Sequence, residues 1–336
     1  MDNRKKVKNI LALLLFFKNN KKLGLENFID YLLIKRWISK NKDYQNIGYN
    51  RKIKKVIFLV KDLKGTITMN GHQPCDALKK RGINSEVYVR KLPEDIDNSM
   101  VIFVKYFPFS DVIRAIKKNC ILVYNVLDDA RPNLLENQGK ICHGIIFPNK
   151  RMQNDFKHYL FQRTKSFVMY HHWDPKFGKL KAKKQNKKFT LVYFGGAPNK
   201  VLFADKIPEL ILVQNFLEQL KVKEKFNCLY SMRKEGSYEF LYKPSTKVAT
   251  ASAIGANIIT SRDSSVVELL GENYPYLTNT DFQSVIKTLD YAKKTFGKKV
   301  WKDALKTMKK VKKKTDINNV VKGYINIMKE LSVKTD

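Results

Sequence analysis

Apolar residues come along this chain in short unbroken runs separated by amphipathic stretches. Runs at Lys55–Val60 (KVIFLV), Ser85–Val89, Met100–Val104, Cys120–Val126, Gly144–Phe147 and Phe167–Tyr170 predict strands. Helical spacing between them predicts helices over Pro74–Arg81, stopped by Gly82, over Asp111–Lys118, and over 150–161, with a polar loop holding Gly65 and Gly71 after the first strand. Strands alternating with helices imply a parallel sheet covered on both faces. A Lys-rich stretch poor in apolar residues, 176–188, reads as a linker, and the pattern then restarts. Strands are predicted at Phe189–Phe194, Phe226–Tyr230 and Asn257–Thr260, and helices at Ile211–Leu220, Lys247–Ile254 and Ser264–Leu270, before three closing helical segments. Residues 1–50 read as two helices, the second with Leu25, Phe28, Ile29, Leu32 and Leu33 on one face and Lys35, Arg36 and Lys40 at its end. The predicted class is α/β: two Rossmann-like open parallel-sheet domains facing a cleft. The expected organisation is a basic helical segment (1–50), a first domain (51–175), the linker (176–188), a second domain (189–315) and a last helix (316–336) packing back on the first domain.

A length of 336 residues suits two domains. None of the four cysteines stands at metal or redox spacing, which points to buried reduced thiols rather than disulfides or zinc. The formal net charge of +34 is extreme. It fits nucleic acid, an anionic membrane or a Lys-favouring codon usage, but Lys outnumbers Arg, and Arg is the residue suited to bidentate reading of bases and phosphates. The charge concentrates in 1–55, 176–188 and 293–314. The apolar run Ile10–Phe17 follows a basic start but leads into Lys18-Asn19-Asn20-Lys21-Lys22 without a small-residue cleavage site. It is far short of the about 20 residues a membrane span needs. A cytoplasmic protein, peripheral at the inner membrane face, is the expectation. Trp301, Ala304, Leu305, Met308 and Val311 form a stripe on an otherwise lysine-rich helix, which suits either a membrane surface or an ordinary core-facing helix.

Candidate chemistry concentrates in Arg233–Gly271. Pro244 is pre-set for a helix start, Ser245 or Thr246 can cap it, and Lys243 and Lys247 flank it, a cradle suited to phosphate. A capped helix with solvated lysines fits the same residues. Gly195-Gly196-Ala197-Pro198-Asn199-Lys200 ends a strand in a glycine turn that lets backbone approach a phosphate, with Lys200 beside it. Asp128-Asp129 follow a strand, and Lys105 ends the neighbouring one. A carboxylate there suits a general base, or a helix N-cap partnered by Arg131. In His171-His172-Trp173-Asp174, a His–Asp pair that includes His172 suits acid–base work and Trp173 offers a flat ring for stacking, while plain packing is the alternative.

The string KPSTKVATASAIGANIIT resembles the second-domain motif of GT-B glycosyltransferases, one branch of which reads Lys-Pro-small-Thr-Lys, then a short helix, then Gly-x-Pro before a strand. Gly255 keeps the glycine, and Asn257 stands where the proline is usual. The resemblance implies that Lys247, Ser245 and Thr246 approach a donor diphosphate with Lys243, that Arg233 matches an arginine ending the preceding strand, and that Gly195-Gly196 is the family's glycine loop. It also implies that Glu268 matches a downstream acid, that His171–Asp174 line the cleft at the hinge, and that no bound metal or other cofactor is needed. The Glu-x7-Glu pattern of glycosyltransferase family 4 is absent, with Tyr242 and Thr250 at its positions, so a standard member of that family is not implied. The expected activity is sugar transfer from a nucleotide sugar to a hydroxyl of a polysaccharide, lipopolysaccharide or glycolipid, with an anionic membrane as partner. Two other readings stand beside it: a basic nucleic-acid-binding protein, for which no helix-turn-helix, zinc or RNA-binding signature is present, and a GT-B protein that binds a glycan without turnover.

Overall fold

In the computed structural model, residues 25–42, 44, 53–63, 65–128, 130–178, 188–195, 201–213 and 226–332 are described. The first part runs α1 (Leu25–Lys40), β1 (Lys55–Val60), α2 (Gly65–Asn70), α3 (His72–Lys79), β2 (Ser85–Val89), β3 (Ser99–Val104), α4 (Phe109–Lys117), β4 (Ile121–Asn125), α5 (Pro132–Ile141), β5 (Gly144–Phe147), α6 (Lys150–Phe156), β6 (Lys165–Val168) and α7 (Pro175–Gly178). The second runs β7 (Leu191–Phe194), β8 (Ile211–Val213), β9 (Cys228–Ser231), α8 (Tyr238–Tyr242), α9 (Thr246–Ile254), β10 (Asn257–Ser261), α10 (Ser264–Leu270), β11 (Leu277–Thr278), α11 (Phe282–Thr295), α12 (Lys299–Lys314) and α13 (Ile317–Leu331).

The first sheet has the order β2-β1-β3-β4-β5-β6 and the second β11-β10-β9-β7-β8, with every pairing parallel. Burial explains the unbroken apolar runs: β3, β4 and β5 are buried along their whole length, because helices cover both faces. Strand order reverses between β1 and β3 in one sheet and between β7 and β9 in the other, and ligands bind beyond the carboxyl ends of strands at such points. α13 closes the chain on the first sheet, where Val320, Val321, Tyr324, Ile327 and Leu331 share a core with Val56, Phe58 and Val60. α12 instead covers the second: Trp301, Ala304, Met308 and Val311 lie in that core, so this stripe is not a free membrane-facing surface.

Four expectations change. The polar loop around Gly65 contains α2, whose Ile67 packs on the first core. Gly71 must be small, since a Cβ there would lie 2.6 Å from Val60 Cγ1. The start of the helix expected at Ile211–Leu220 is an edge strand, Ile211–Val213, paired with Val192–Phe194, and 214–225 lie outside the described residues. Short apolar runs do not separate strand from helix by spacing alone, and here pairing with β7 decides. Of the stripe on α1, Phe28 is buried but Ile29, Leu32 and Leu33 are 48%, 42% and 38% exposed, because α1 turns Phe28 and Ile34 inward. α5 and α8 were not expected. The helix expected in 1–24 and most of the 176–188 linker lie outside the described residues. Among the described residues no helix is long and apolar enough to cross a membrane. All four cysteines are buried.

Candidate functional site

α9 begins where sequence chemistry says it should. Ser245 is its N-cap residue, and Gly255 ends it in the left-handed region at φ 82°, which its missing Cβ permits. Val248 to Ile254 are all buried, and the small Ala249, Ala251, Ser252 and Ala253 let neighbouring elements approach. Asn257, at the position where the resembled motif usually has proline, donates its backbone N–H to the Asn227 carbonyl and its side-chain amide to the Trp301 carbonyl at 3.2 Å, tying β10 to α12. A proline would lose both bonds.

The loop entering α9 is held by Arg233, at the end of β9. Its Nη1 donates to the Lys243 carbonyl at 2.9 Å and pairs with Asp263 Oδ2 at 2.8 Å, while Nη2 donates to the Pro244 carbonyl at 2.9 Å. Asp263 is 2% exposed, and burial raises its carboxyl above the ordinary range, with the Arg233 charge offsetting only part. Ser245 Oγ lies 2.6 Å from Ser265 Oγ, which donates to the Lys243 carbonyl at 2.7 Å. Arg233 and Ser245 therefore shape the cradle through protein contacts. Thr246 and Lys247 occupy the first turn, whose amides have no acceptor earlier in the helix.

Lys247 reaches toward the end of β7. Its Nζ is 3.3 Å from the Tyr193 hydroxyl and 4.4 Å from that ring's centroid. Among the described residues no carboxylate forms an ion pair with it. Burial, then the charges of Arg233 and Lys243, lower its pKa to about 8, with Asp263 opposing. A Cβ on Gly195 would lie 2.2 Å from the Tyr193 hydroxyl, so a side chain there would displace this ring. Gly196 and Lys200 lie outside the described residues.

The first domain faces this cradle with an ion pair. Lys105 Nζ donates to Asp128 Oδ1 at 2.6 Å from the ends of adjacent strands β3 and β4. Lys105 and Leu127 both have positive φ, 54° and 55°, the kind of strained backbone that collects at functional sites. Burial pushes the Asp128 carboxyl up, but the bond and charge of Lys105, then the charges of Lys243 and His171, outweigh it and hold it below the ordinary range. Lys243, in the second domain, thus acts across the cleft on Asp128. Asp129 lies outside the described residues. Tyr238 from α8 clasps the same loop, accepting from the Ala130 amide at 2.8 Å and donating to its carbonyl at 2.9 Å.

The hinge histidines differ. His172 sits 2.7 Å from Gln73 Oε1 and is lowered to about 3 by burial and by His171. It is a neutral ring tied to α3. His171 instead joins the two domains: Nε2 lies 2.9 Å from Asn70 Nδ2 and Nδ1 lies 3.1 Å from Thr246 Oγ1. Glu268 also joins them, accepting from the Tyr170 hydroxyl at 2.5 Å and from the Lys150 amide at 3.0 Å. Burial and Glu268 push the Tyr170 hydroxyl up. Asn70, His171 and Tyr193 were not singled out individually from sequence. A His in the crossing segment was a visible signal, but its partners were not.

Two parallel sheets opening toward one cleft occur in known structures. A glycosyltransferase from Rickettsia africae matches with a TM-score of 0.64 at 10% identity, over 85% of this chain and 100% of its own. HepE of Anabaena in complex with UDP matches with 0.60 at 13% identity, over 82% and 100%. The sucrose-phosphate synthase of Thermosynechococcus elongatus matches with 0.58 at 8% identity, over 83% and 99%. The chain has the GT-B fold. No protein-family model matches the sequence, and no curated protein matches it significantly. In this GT-B protein the α9 cradle belongs to the second domain and the Lys105–Asp128 pair to the first, with His171 between.

Proposed function

We propose that this GT-B protein is a glycosyltransferase moving a sugar from a nucleoside-diphosphate donor to an acceptor hydroxyl. The observation that carries the reading is the first turn of α9, with Thr246 and the desolvated Lys247, set across the cleft from the Lys105–Asp128 pair. HepE structures hold UDP, UDP with glucose, and UDP-glucose, which supports a nucleotide-sugar partner for the same fold. In this reading the first-turn amides, Thr246 and Lys247 take the donor diphosphate, with Lys243 at the rim. Asp128 takes the proton of the acceptor hydroxyl as its oxygen bonds to the sugar carbon. The bond from that carbon to the diphosphate oxygen breaks, and the charge on the departing group falls to Lys247 and the amides. That is the role a metal ion has in other transferases, so the donor is the one small molecule the reading requires. Arg233, Ser245, His172 and Glu268 act by holding the site's walls. A thermal-shift screen with UDP, GDP, ADP and dTDP, followed by product detection with the matching sugar donors, tests it. Stabilisation by one diphosphate and transfer from its sugars support it; neither effect, in a folded protein, removes it.

Lys247 gives the reading a pH dependence. Its free pKa of about 8 must rise when an anionic diphosphate binds, since the anion favours the charged form. Affinity is therefore full below that value and falls as pH rises through it, with proton uptake on binding above it. Titration calorimetry in buffers of different ionisation enthalpy reads the uptake; affinity flat from pH 7 to 9.5 contradicts the assignment.

The proposed acceptor is a surface glycan or glycolipid at an anionic membrane. Support comes from α1, where exposed Ile29, Leu32 and Leu33 stand beside Lys35, Arg36 and Lys40. Ile29→Ser with Leu33→Ser is expected to reduce co-sedimentation with phosphatidylserine-containing vesicles, and unchanged sedimentation contradicts membrane contact through this face.

A further inference from the structure

Asn70, His171 and Thr246 come from the first domain, the crossing segment and the second domain, and their side chains form one hydrogen-bonded line through the base of the cleft. Asn70 and His171 are both buried, at 8% and 5% exposure. With Nδ2 of the Asn70 amide facing the ring, 2.9 Å from His171 Nε2, the amide donates and Nε2 is the accepting nitrogen. A neutral imidazole carries its single ring proton on the other nitrogen, here Nδ1, which stands 3.1 Å from Thr246 Oγ1 and donates to it. Burial favours that neutral ring, and among the described residues Asp128 is the charged group that acts on it.

We propose that His171 is a positioning residue that makes Thr246 a dedicated hydrogen-bond donor to the donor diphosphate. A hydroxyl that accepts from Nδ1–H keeps its own proton for another acceptor. Thr246 is the first residue of α9, so that proton is available beside the first-turn amides and Lys247. With the Asn70 amide turned the other way, the ring proton would sit on Nε2, Nδ1 would accept from Thr246, and the hydroxyl would be lost to the ligand. Asn70 thus sets the proton, His171 passes the constraint across the domain boundary, and Thr246 presents the result. The line also makes donor affinity depend on both domains being in place.

This inference rests on the donor reading of α9, and the test separates the two. UDP, GDP, ADP and dTDP are titrated calorimetrically into the whole protein and into His171→Asn, His171→Gln, Thr246→Val, the double variant His171→Gln/Thr246→Val, and Lys247→Ala. An asparagine amide can stand in for Nδ1–H, whereas a glutamine amide extends toward the Nε2 position. His171→Asn is expected to keep affinity within about threefold. His171→Gln and Thr246→Val should each lose on the order of tenfold, the scale of one hydrogen bond to a charged group. The double variant should lose no more than either single change, because both remove the same bond. Equal losses for the Asn and Gln variants, or losses that multiply in the double variant, overturn the role of His171. The donor reading survives that outcome if the wild type binds and Lys247→Ala weakens binding. If the wild type binds none of the four, both fail. Should the His171 variants not fold, Thr246→Ser against Thr246→Val decides: serine should retain affinity and valine lose it, and equal affinities overturn the proposal.

Discussion

Asp128→Asn is expected to lower turnover by a factor of about 100 to 10,000, the range for losing a general base, while leaving donor affinity almost unchanged. The substitution keeps the shape of the side chain and removes its capacity to take a proton. Asp128 lies on the first-domain wall, opposite the α9 cradle, so its loss should appear in kcat rather than in donor binding. Lys105 and Lys243 hold the carboxylate in its charged form below the ordinary carboxylate range. The acidic limb of the rate profile should therefore lie lower than an unperturbed Asp would give, with activity lost as pH falls through that depressed value. Steady-state rates of both proteins between pH 3 and 8 check this. Near-wild-type turnover in the Asn variant assigns the base elsewhere, and Asp129 is the adjacent residue to test next.

Lys247→Ala is expected to weaken nucleoside-diphosphate binding by about one to two orders of magnitude, the worth of a charge-assisted bond in a partly dry site. Its effect on stability should be small or even favourable. The ammonium is desolvated and repelled by Arg233 and Lys243, so the free protein holds it at a cost that the diphosphate offsets. Below pH 8 that cost is present in full, since the group is charged both folded and unfolded; it fades as pH rises toward the ordinary lysine value. Calorimetric affinity together with the melting temperature distinguishes this from general damage. A large fall in melting temperature with unchanged affinity would make Lys247 a packing residue.

Strands buried on both faces were legible in the sequence because such burial leaves no polar alternation, as in KVIFLV and GIIF. α9 was legible because Pro244 and Gly255 punctuate it. Ile211–Val213 was not, since an edge strand with Ile211 and Leu212 outside carries the same apolar spacing as a helix turn. The cradle residues were visible as a cluster in sequence, but their division of labour was not. Nothing in the string KPSTK says that Ser245 turns to Ser265, or that Arg233 gives its guanidinium to the carbonyls of Lys243 and Pro244. Contacts between domains were the least legible. His171 and Thr246 are 75 positions apart, and their meeting depends on how the two sheets face each other. Glu268 is similar: on its own helix it reads as a solvated acid, and only packing against α6 and Tyr170 gives it partners.

In the proposed function α9 is the anion-binding element of a nucleotide-sugar site. A crystal structure of the protein with the nucleoside diphosphate that raises its melting temperature most tests this directly. The diphosphate is expected at the first turn of α9, accepting from its amides, the Thr246 hydroxyl and Lys247 Nζ. A diphosphate bound away from α9, with Lys247 still against Tyr193, would contradict it.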